Sequence, residues 1–104
     1  NPRFLSRVLT EGERERVSRR GANTAAGLFA AKEAVAKALG SGFDGFGLQD
    51  VEILWDDAGR PFCRLTGGAA DRLKRIGGDA VFVSITHDAG AAAAVAVIEA
   101  SSPR

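Results

Sequence analysis

The 104-residue sequence contains one cysteine, one histidine, one tryptophan and no tyrosine. None of its apolar runs approaches the roughly 18 residues of a membrane-spanning helix, so we expect no membrane partner. The single thiol, Cys63, cannot form a disulfide within the chain, which indicates a cytoplasmic protein in a reducing compartment. Hydrophobic residues make up 45% of the chain, which excludes disordered and fibrous classes. The length predicts a single domain over residues 1–104.

Charge is balanced in total but unevenly distributed along the chain. Residues 1–20 contain six arginines and three glutamates, whereas residues 38–59 contain five acidic residues and no lysine or arginine. The basic segment indicates either an acidic partner or a self-compensating helix surface. The acidic stretch and an aromatic content of 7% argue against a nucleic-acid partner.

Asn1 and Pro2 predict a short helix that ends at about Val8, and two longer helices are predicted in the rest of the first forty residues. Thr10 and Glu13 fit a capping box that opens a helix ending at about Arg20. Asn23 or Thr24 is expected to cap a second, longer helix that ends at Leu39, with Gly40 as its left-handed C-terminal residue. Four apolar residues form the predicted core stripe of this long helix: Leu28, Ala31, Val35 and Leu39.

The hydrophobic period changes after the long helix. The apolar residues Val51, Ile53 and Trp55 alternate with Glu52, Leu54 and Asp56, and residues 61–66 return after a turn, which predicts a hairpin. Residues 69–76 read as a short amphipathic helix, and residues 81–87 and 91–98 as two further strands. We therefore predict an α+β fold with an antiparallel sheet packed on one long helix and shorter helices.

Residues 29–40 (FAAKEAVAKALG) contain the groups most suited to chemistry. Glu33 and Lys37 are four residues apart on a helix of small apolar residues, so they share one stripe. A carboxylate oxygen suits Mg²⁺, and a nearby ammonium suits phosphate oxygens. The same spacing is also typical of an ordinary surface salt bridge, which stabilises a helix by about 0.2–0.5 kcal/mol.

Three other features are weaker signals. His87, at the end of a predicted strand, suits a phosphate contact or proton shuttle, although a half-buried structural histidine is the alternative. The segment 40–42 (GSG) would let backbone amides approach a phosphate. Cys63 shares a strand face with Leu65, which favours a small core residue over a nucleophile.

Four segments, in this order, resemble the holo-[acyl-carrier-protein] synthase family, the small 4′-phosphopantetheinyl transferases. They are residues 29–40, residues 50–53 (DVEI) followed by 59–61 (GRP), residues 65–67 (LTG), and residues 83–87 (VSITH) before an alanine-rich last strand. The similarity covers nearly the whole chain. It is most specific in the pattern Lys-Glu-Ala-x-x-Lys-Ala with Ser-x-x-His downstream.

The resemblance implies a magnesium-dependent transferase of fatty acid biosynthesis. Such an enzyme moves phosphopantetheine from coenzyme A to a serine of apo acyl carrier protein and releases adenosine bisphosphate. Family members work as homotrimers, with the nucleotide in clefts between neighbouring subunits. The roles carried over are a magnesium ligand (Glu33), a catalytic cation (Lys37), cofactor-binding residues (Lys32, Lys37, Gly40, Ser41 and His87) and carrier-docking residues (Arg3 and Arg7).

Two departures from the family pattern are present. The family begins with a strand bearing an aspartate that ligates magnesium, and this sequence contains no equivalent, so we expect that strand to precede Asn1. Leu28 also stands where the family typically has arginine. The alternative is a non-catalytic module that binds acyl carrier protein and has an incomplete metal site.

Overall fold

A computed structural model describes residues 7–40 and 45–100 of the protein. Its elements in chain order are helix α1 (Glu11–Arg20), helix α2 (Ala22–Leu39), a 3-10 turn (Leu48–Asp50), strands β1 (Val51–Trp55) and β2 (Pro61–Leu65), helix α3 (Gly67–Arg75), and strands β3 (Ala80–Asp88) and β4 (Ala91–Glu99). This order confirms the predicted α+β class. The described strands lie within two residues of the predicted positions.

The strands pair as two antiparallel hairpins. In the first, β1 pairs with β2 from Val51↔Leu65 to Trp55↔Pro61. In the second, β3 pairs with β4 from Ala80↔Glu99 to Asp88↔Ala91. Among the described strands, these hairpins form separate two-stranded sheets, although β2 lies beside β3. The predicted antiparallel pairing is confirmed. The described strands form two separate ladders and not the one continuous sheet that was predicted.

The ends of the helices follow the predicted pattern with one exception. The Thr10 hydroxyl accepts the Glu13 N–H, and the Glu13 carboxylate accepts the Thr10 N–H, which confirms the capping box. Gly40 ends α2 at φ 78°, as predicted. The predicted cap of α2 at Asn23 or Thr24 is wrong, because the single residue Gly21 turns the chain at φ 100° and α2 begins immediately after it.

The core is built on α2. Its predicted stripe is fully or almost fully buried, and the inner faces of both hairpins pack around it. Leu28, which stands at the position of the family arginine, is completely buried and belongs to this core. The buried members of the core are Leu9, Leu28, Ala31, Val35, Ala36, Leu39, Phe46, Val51, Ile53 and Ala69.

A buried ion pair joins α1, α2 and β1. The Lys32 ammonium donates to Glu13 Oε1 and to the Val51 carbonyl, both at 2.6 Å. The other oxygen of Glu13, Oε2, accepts the Ile53 N–H at 2.8 Å. Both side chains are fully buried. Burial lowers the pKa of Lys32, and the hydrogen bond to Glu13 acts in the opposite direction.

We predict that Lys32→Met destabilises the fold by about 3–5 kcal/mol, because it leaves the Glu13 carboxylate buried without a cation. Adding Glu13→Gln should recover part of this loss, since the remaining buried group is then neutral. Urea denaturation followed by circular dichroism measures both. Arg19→Met, which breaks an exposed pair with Glu15, is the matched control and should cost no more than about 0.5 kcal/mol. A Lys32→Met variant as stable as this control would contradict the role of the pair.

Candidate active site

Glu33 and Lys37 lie on the exposed side of α2. The core stripe and Lys32 pack the opposite side of the helix against the interior, so the side chains of Glu33 and Lys37 face outward. The structure does not form the surface salt bridge between them: within residues 7–40 and 45–100, neither takes part in an ion pair. A carboxylate and an ammonium are therefore both available to a ligand on one face of the helix.

Lys32 is placed differently from its predicted role in cofactor binding. Its ammonium is completely buried and is bonded to Glu13 and to the Val51 carbonyl. Consecutive residues of a helix are about 100° apart, so when Glu33 faces outward Lys32 can face the interior. This placement corrects the prediction, because it gives Lys32 a structural role and leaves no exposed ammonium for a cofactor.

Gly40 lies at the end of α2, next to helix α3. Its N–H bonds to the carbonyls of Ala36 and Lys37, and Arg72 of α3 donates from Nε to the Leu39 carbonyl. Arg72 was not identified from the sequence, since its proximity to Gly40 depends on how α3 packs. Ser41, predicted to line the nucleotide site with Gly40, lies outside the described residues.

His87 opens onto a basic cleft of about 260 Å³ between α1, α2 and the two hairpins. The residues that line it are Arg16, Arg20, Thr24, Gly27, Trp55, Gly59, Pro61, Ile85 and His87. The Arg16 guanidinium lies over the Trp55 ring, 3.7 Å from its centroid. The cleft therefore combines cationic side chains with an aromatic surface.

Within residues 7–40 and 45–100, neither Arg16 nor Arg20 of this cleft forms an ion pair with an acidic side chain. Arg16 Nε is buried and has no hydrogen-bond partner in the part of the chain that the structure describes. Burial, together with the nearby charges of Arg20 and Arg19, lowers the pKa of Arg16. An anion bound in this cleft would reduce the electrostatic repulsion between these arginines.

Sequence reasoning missed Arg16, Arg20 and Trp55 as candidate ligand contacts. The four-residue spacing of the two arginines would have shown that they share one face of α1. Their approach to Trp55 and His87 is a tertiary contact that no local pattern reveals. Of the two predicted docking residues, Arg7 is exposed at the start of the described chain and Arg3 lies outside it.

The structure does not bring all the predicted site residues into one cleft. In the described part of the chain, the lining of the His87 cleft contains neither Glu33 nor Lys37. Gly27, which lies beside His87, precedes Glu33 by six residues on α2. At about 1.5 Å per residue this is about 9 Å along the helix axis. The two groups of residues are therefore separate on one chain.

A magnesium ion would depend on few protein ligands. In the described ranges, no group of three or more His, Cys, Asp or Glu residues could hold a metal. The exposed Glu33 carboxylate nevertheless fits Mg²⁺, because this ion keeps several waters and commonly binds through one or two carboxylates together with substrate phosphates.

Cys63 is not a candidate nucleophile. It is half-buried and packs against the core, as predicted. Burial raises the pKa of its thiol to about 12, so the reactive thiolate is scarce near neutral pH.

None of the helices in the described ranges is long and apolar enough to cross a membrane.

Comparison with known proteins identifies the family. The model of the 4′-phosphopantetheinyl transferase superfamily matches residues 1–96. The chain is 46% identical over 104 residues to a holo-[acyl-carrier-protein] synthase of Clostridium botulinum, covering 95% of this chain and 81% of the relative. The Helicobacter pylori holo-[acyl-carrier-protein] synthase, solved in complex with coenzyme A, is 31% identical with a TM-score of 0.81, covering 93% of this chain and 82% of that one.

The corresponding structure from Neisseria meningitidis is 31% identical with a TM-score of 0.84, and the match covers 93% of this chain and 80% of that chain. Both the sequence and the fold thus agree with the motifs at residues 29–40 and 83–87. The chain is an enzyme of the holo-[acyl-carrier-protein] synthase family, within the 4′-phosphopantetheinyl transferase superfamily.

Proposed function

We propose that this protein transfers 4′-phosphopantetheine from coenzyme A to a serine hydroxyl of apo acyl carrier protein. The serine oxygen forms a bond to the phosphorus that carries the pantetheine arm. The pyrophosphate bond breaks, adenosine bisphosphate leaves, and the hydroxyl proton passes to a base. The observation that carries this proposal is the exposed pair on α2, Glu33 and Lys37, which is free of mutual pairing.

Each member of this pair has a distinct role. Glu33 would hold Mg²⁺, which when bound supplies charge neutralisation at the phosphates. Lys37 contacts the phosphate and stabilises the charge that develops on its oxygens in the transition state. Phosphoryl transfer of this kind depends mainly on positioning and electrostatics, so no protein nucleophile is required.

The His87 cleft suits the nucleotide end of coenzyme A. Arg16, Arg20 and His87 offer donors for phosphate oxygens, and the Trp55 ring offers an apolar surface beside them. Gly40 and Ser41 would approach the phosphates near Lys37. Arg3 and Arg7 would dock an acidic helix of the carrier protein, and exposed charges of this kind accelerate association in a salt-dependent way.

A homotrimer would complete the site. The resemblance to the family implies a cofactor bound in a cleft between neighbouring subunits, with His87 and the pair Glu33 and Lys37 at different points along it. The outer face of the second hairpin provides an apolar surface for assembly: Phe82, Val95 and Val97 are 55%, 64% and 54% exposed, and Phe82 is paired with Val97. We also propose a single domain over residues 1–104, because the described elements share one core. The single cysteine favours a cytoplasmic location.

Glu33→Gln should lower magnesium-dependent transfer roughly 100-fold or more, because it removes the charge of the proposed metal ligand while keeping its size. The rate is measured as formation of holo acyl carrier protein at saturating coenzyme A. Glu15→Gln, which changes an exposed carboxylate on α1 with no assigned role, is the control and should keep the wild-type rate. A Glu33→Gln variant with wild-type activity would exclude Glu33 as the metal ligand.

Val95→Lys combined with Val97→Lys should convert the proposed trimer to monomers, because burying two ammonium groups in an apolar interface is unfavourable. Light scattering after size-exclusion chromatography measures the mass. Ser18→Lys, an exposed change on α1, should leave the trimer intact. A wild-type protein that is monomeric, or a double variant that remains trimeric, would refute assembly through this face.

A further inference from the structure

Gly27 occupies an interior position of α2 where glycine is unfavourable. Glycine destabilises a helix interior relative to alanine, so its presence needs a reason. The backbone conformation of Gly27 does not require glycine, because the residue lies within a regular helix. The reason lies in its surroundings. A Cβ at Gly27 would lie 3.0 Å from both Cε1 and Nε2 of His87, and 3.3 Å from Cγ2 of Ile85.

These separations are shorter than ordinary van der Waals contacts, which lie at about 3.5–4.0 Å between carbon atoms. The His87 ring therefore occupies the space that a methyl group at Gly27 would fill. Gly12 in α1 provides a contrast: its Cβ would lie 3.4 Å from Glu52 Oε2 and 4.0 Å from Thr10 Oγ1, which is close to ordinary contact.

We propose that Gly27 is a positioning residue that sets where the His87 imidazole lies in the basic cleft, and thereby how tightly the cleft holds the nucleotide end of coenzyme A. This inference rests on the proposed function. His87 is the penultimate residue of β3 and lies on the same face of the strand as Ile85. From this position its ring contacts α2. A side chain at residue 27 would displace the ring within the cleft that Arg16 and Arg20 also line.

Gly27→Ala tests the proposal. We expect the KM for coenzyme A to rise roughly threefold to tenfold with kcat within about twofold, because a shift of a few tenths of an ångström misaligns a binding group without removing the chemistry. The folded variant should have close to wild-type stability, because the helix preference of alanine offsets the cost of moving the ring. A merely structural role would instead lower stability and leave KM unchanged.

Nuclear magnetic resonance gives a readout that does not depend on activity. His87 is the only histidine in the sequence, so its ring gives one identifiable Hε1 signal. Gly27→Ala should shift this signal, and the control Gly12→Ala should leave both the signal and the KM for coenzyme A unchanged. An unshifted signal in Gly27→Ala would overturn the proposed contact.

A double-mutant cycle separates an effect through His87 from direct blocking of the cleft by the new methyl group. In a His87→Ala background, Gly27→Ala should cause no further rise in KM, because the ring it displaces is absent. A further rise would overturn the proposal, since Gly27 would then act by itself. If Gly27→Ala alone fails to fold, restored folding in the double variant supports the contact and continued failure overturns it.

The same measurements distinguish failure of this inference from failure of the proposed function. A wild-type protein without transfer activity would overturn the function. The Hε1 signal would still decide the contact between Gly27 and His87 in that case, with a shift supporting it and no shift refuting it.

Discussion

The buried contact between Lys32 and Glu13 is the interaction on which the arrangement of the site depends. The ammonium joins a carboxylate from α1 and a carbonyl from β1, and the same carboxylate accepts a backbone N–H of β1. A buried charge left without its partner is strongly destabilising, so the three elements are held in one relative position. This contact also fixes the rotation of α2, because the lysine that points inward lies directly before the glutamate that points outward.

Helix α2 therefore serves different purposes on its different faces. Its apolar stripe forms the core, and its exposed face presents Glu33 and Lys37. Its first half approaches β3 closely at Gly27, where the His87 ring lies. The candidate groups at both ends of the proposed cofactor site thus lie on, or pack against, one helix. An arrangement of this kind suits phosphoryl transfer, which depends on positioning and preorganised charge.

Local patterns predicted the elements well because they encode local physics. The capping box of Thr10 and Glu13, the left-handed Gly40 and the alternation along β1 each involve neighbouring residues. The predicted cap of α2 was wrong because a single glycine at Gly21 let the helix start earlier. Lys32 was misjudged because lysine is rarely buried, and its partner Glu13 is 19 residues away on another helix.

The site was predicted less completely than the fold. Glu33 and Lys37 share a helix, so their common face followed from their spacing. The basic cleft brings together Arg16, Trp55 and His87 from three elements, and only their packing makes them neighbours. The proposed role of Gly27 could not be predicted from the sequence either, because it depends on the contact with His87, which is distant in the sequence.

The most direct test of the central claim is the intact mass of apo acyl carrier protein after incubation with this protein, coenzyme A and Mg²⁺. The account predicts that the carrier gains the mass of one phosphopantetheine group and that a chelator prevents the gain. A carrier of unchanged mass, with the protein shown to be folded and the carrier modified by a known holo-[acyl-carrier-protein] synthase in parallel, would contradict it.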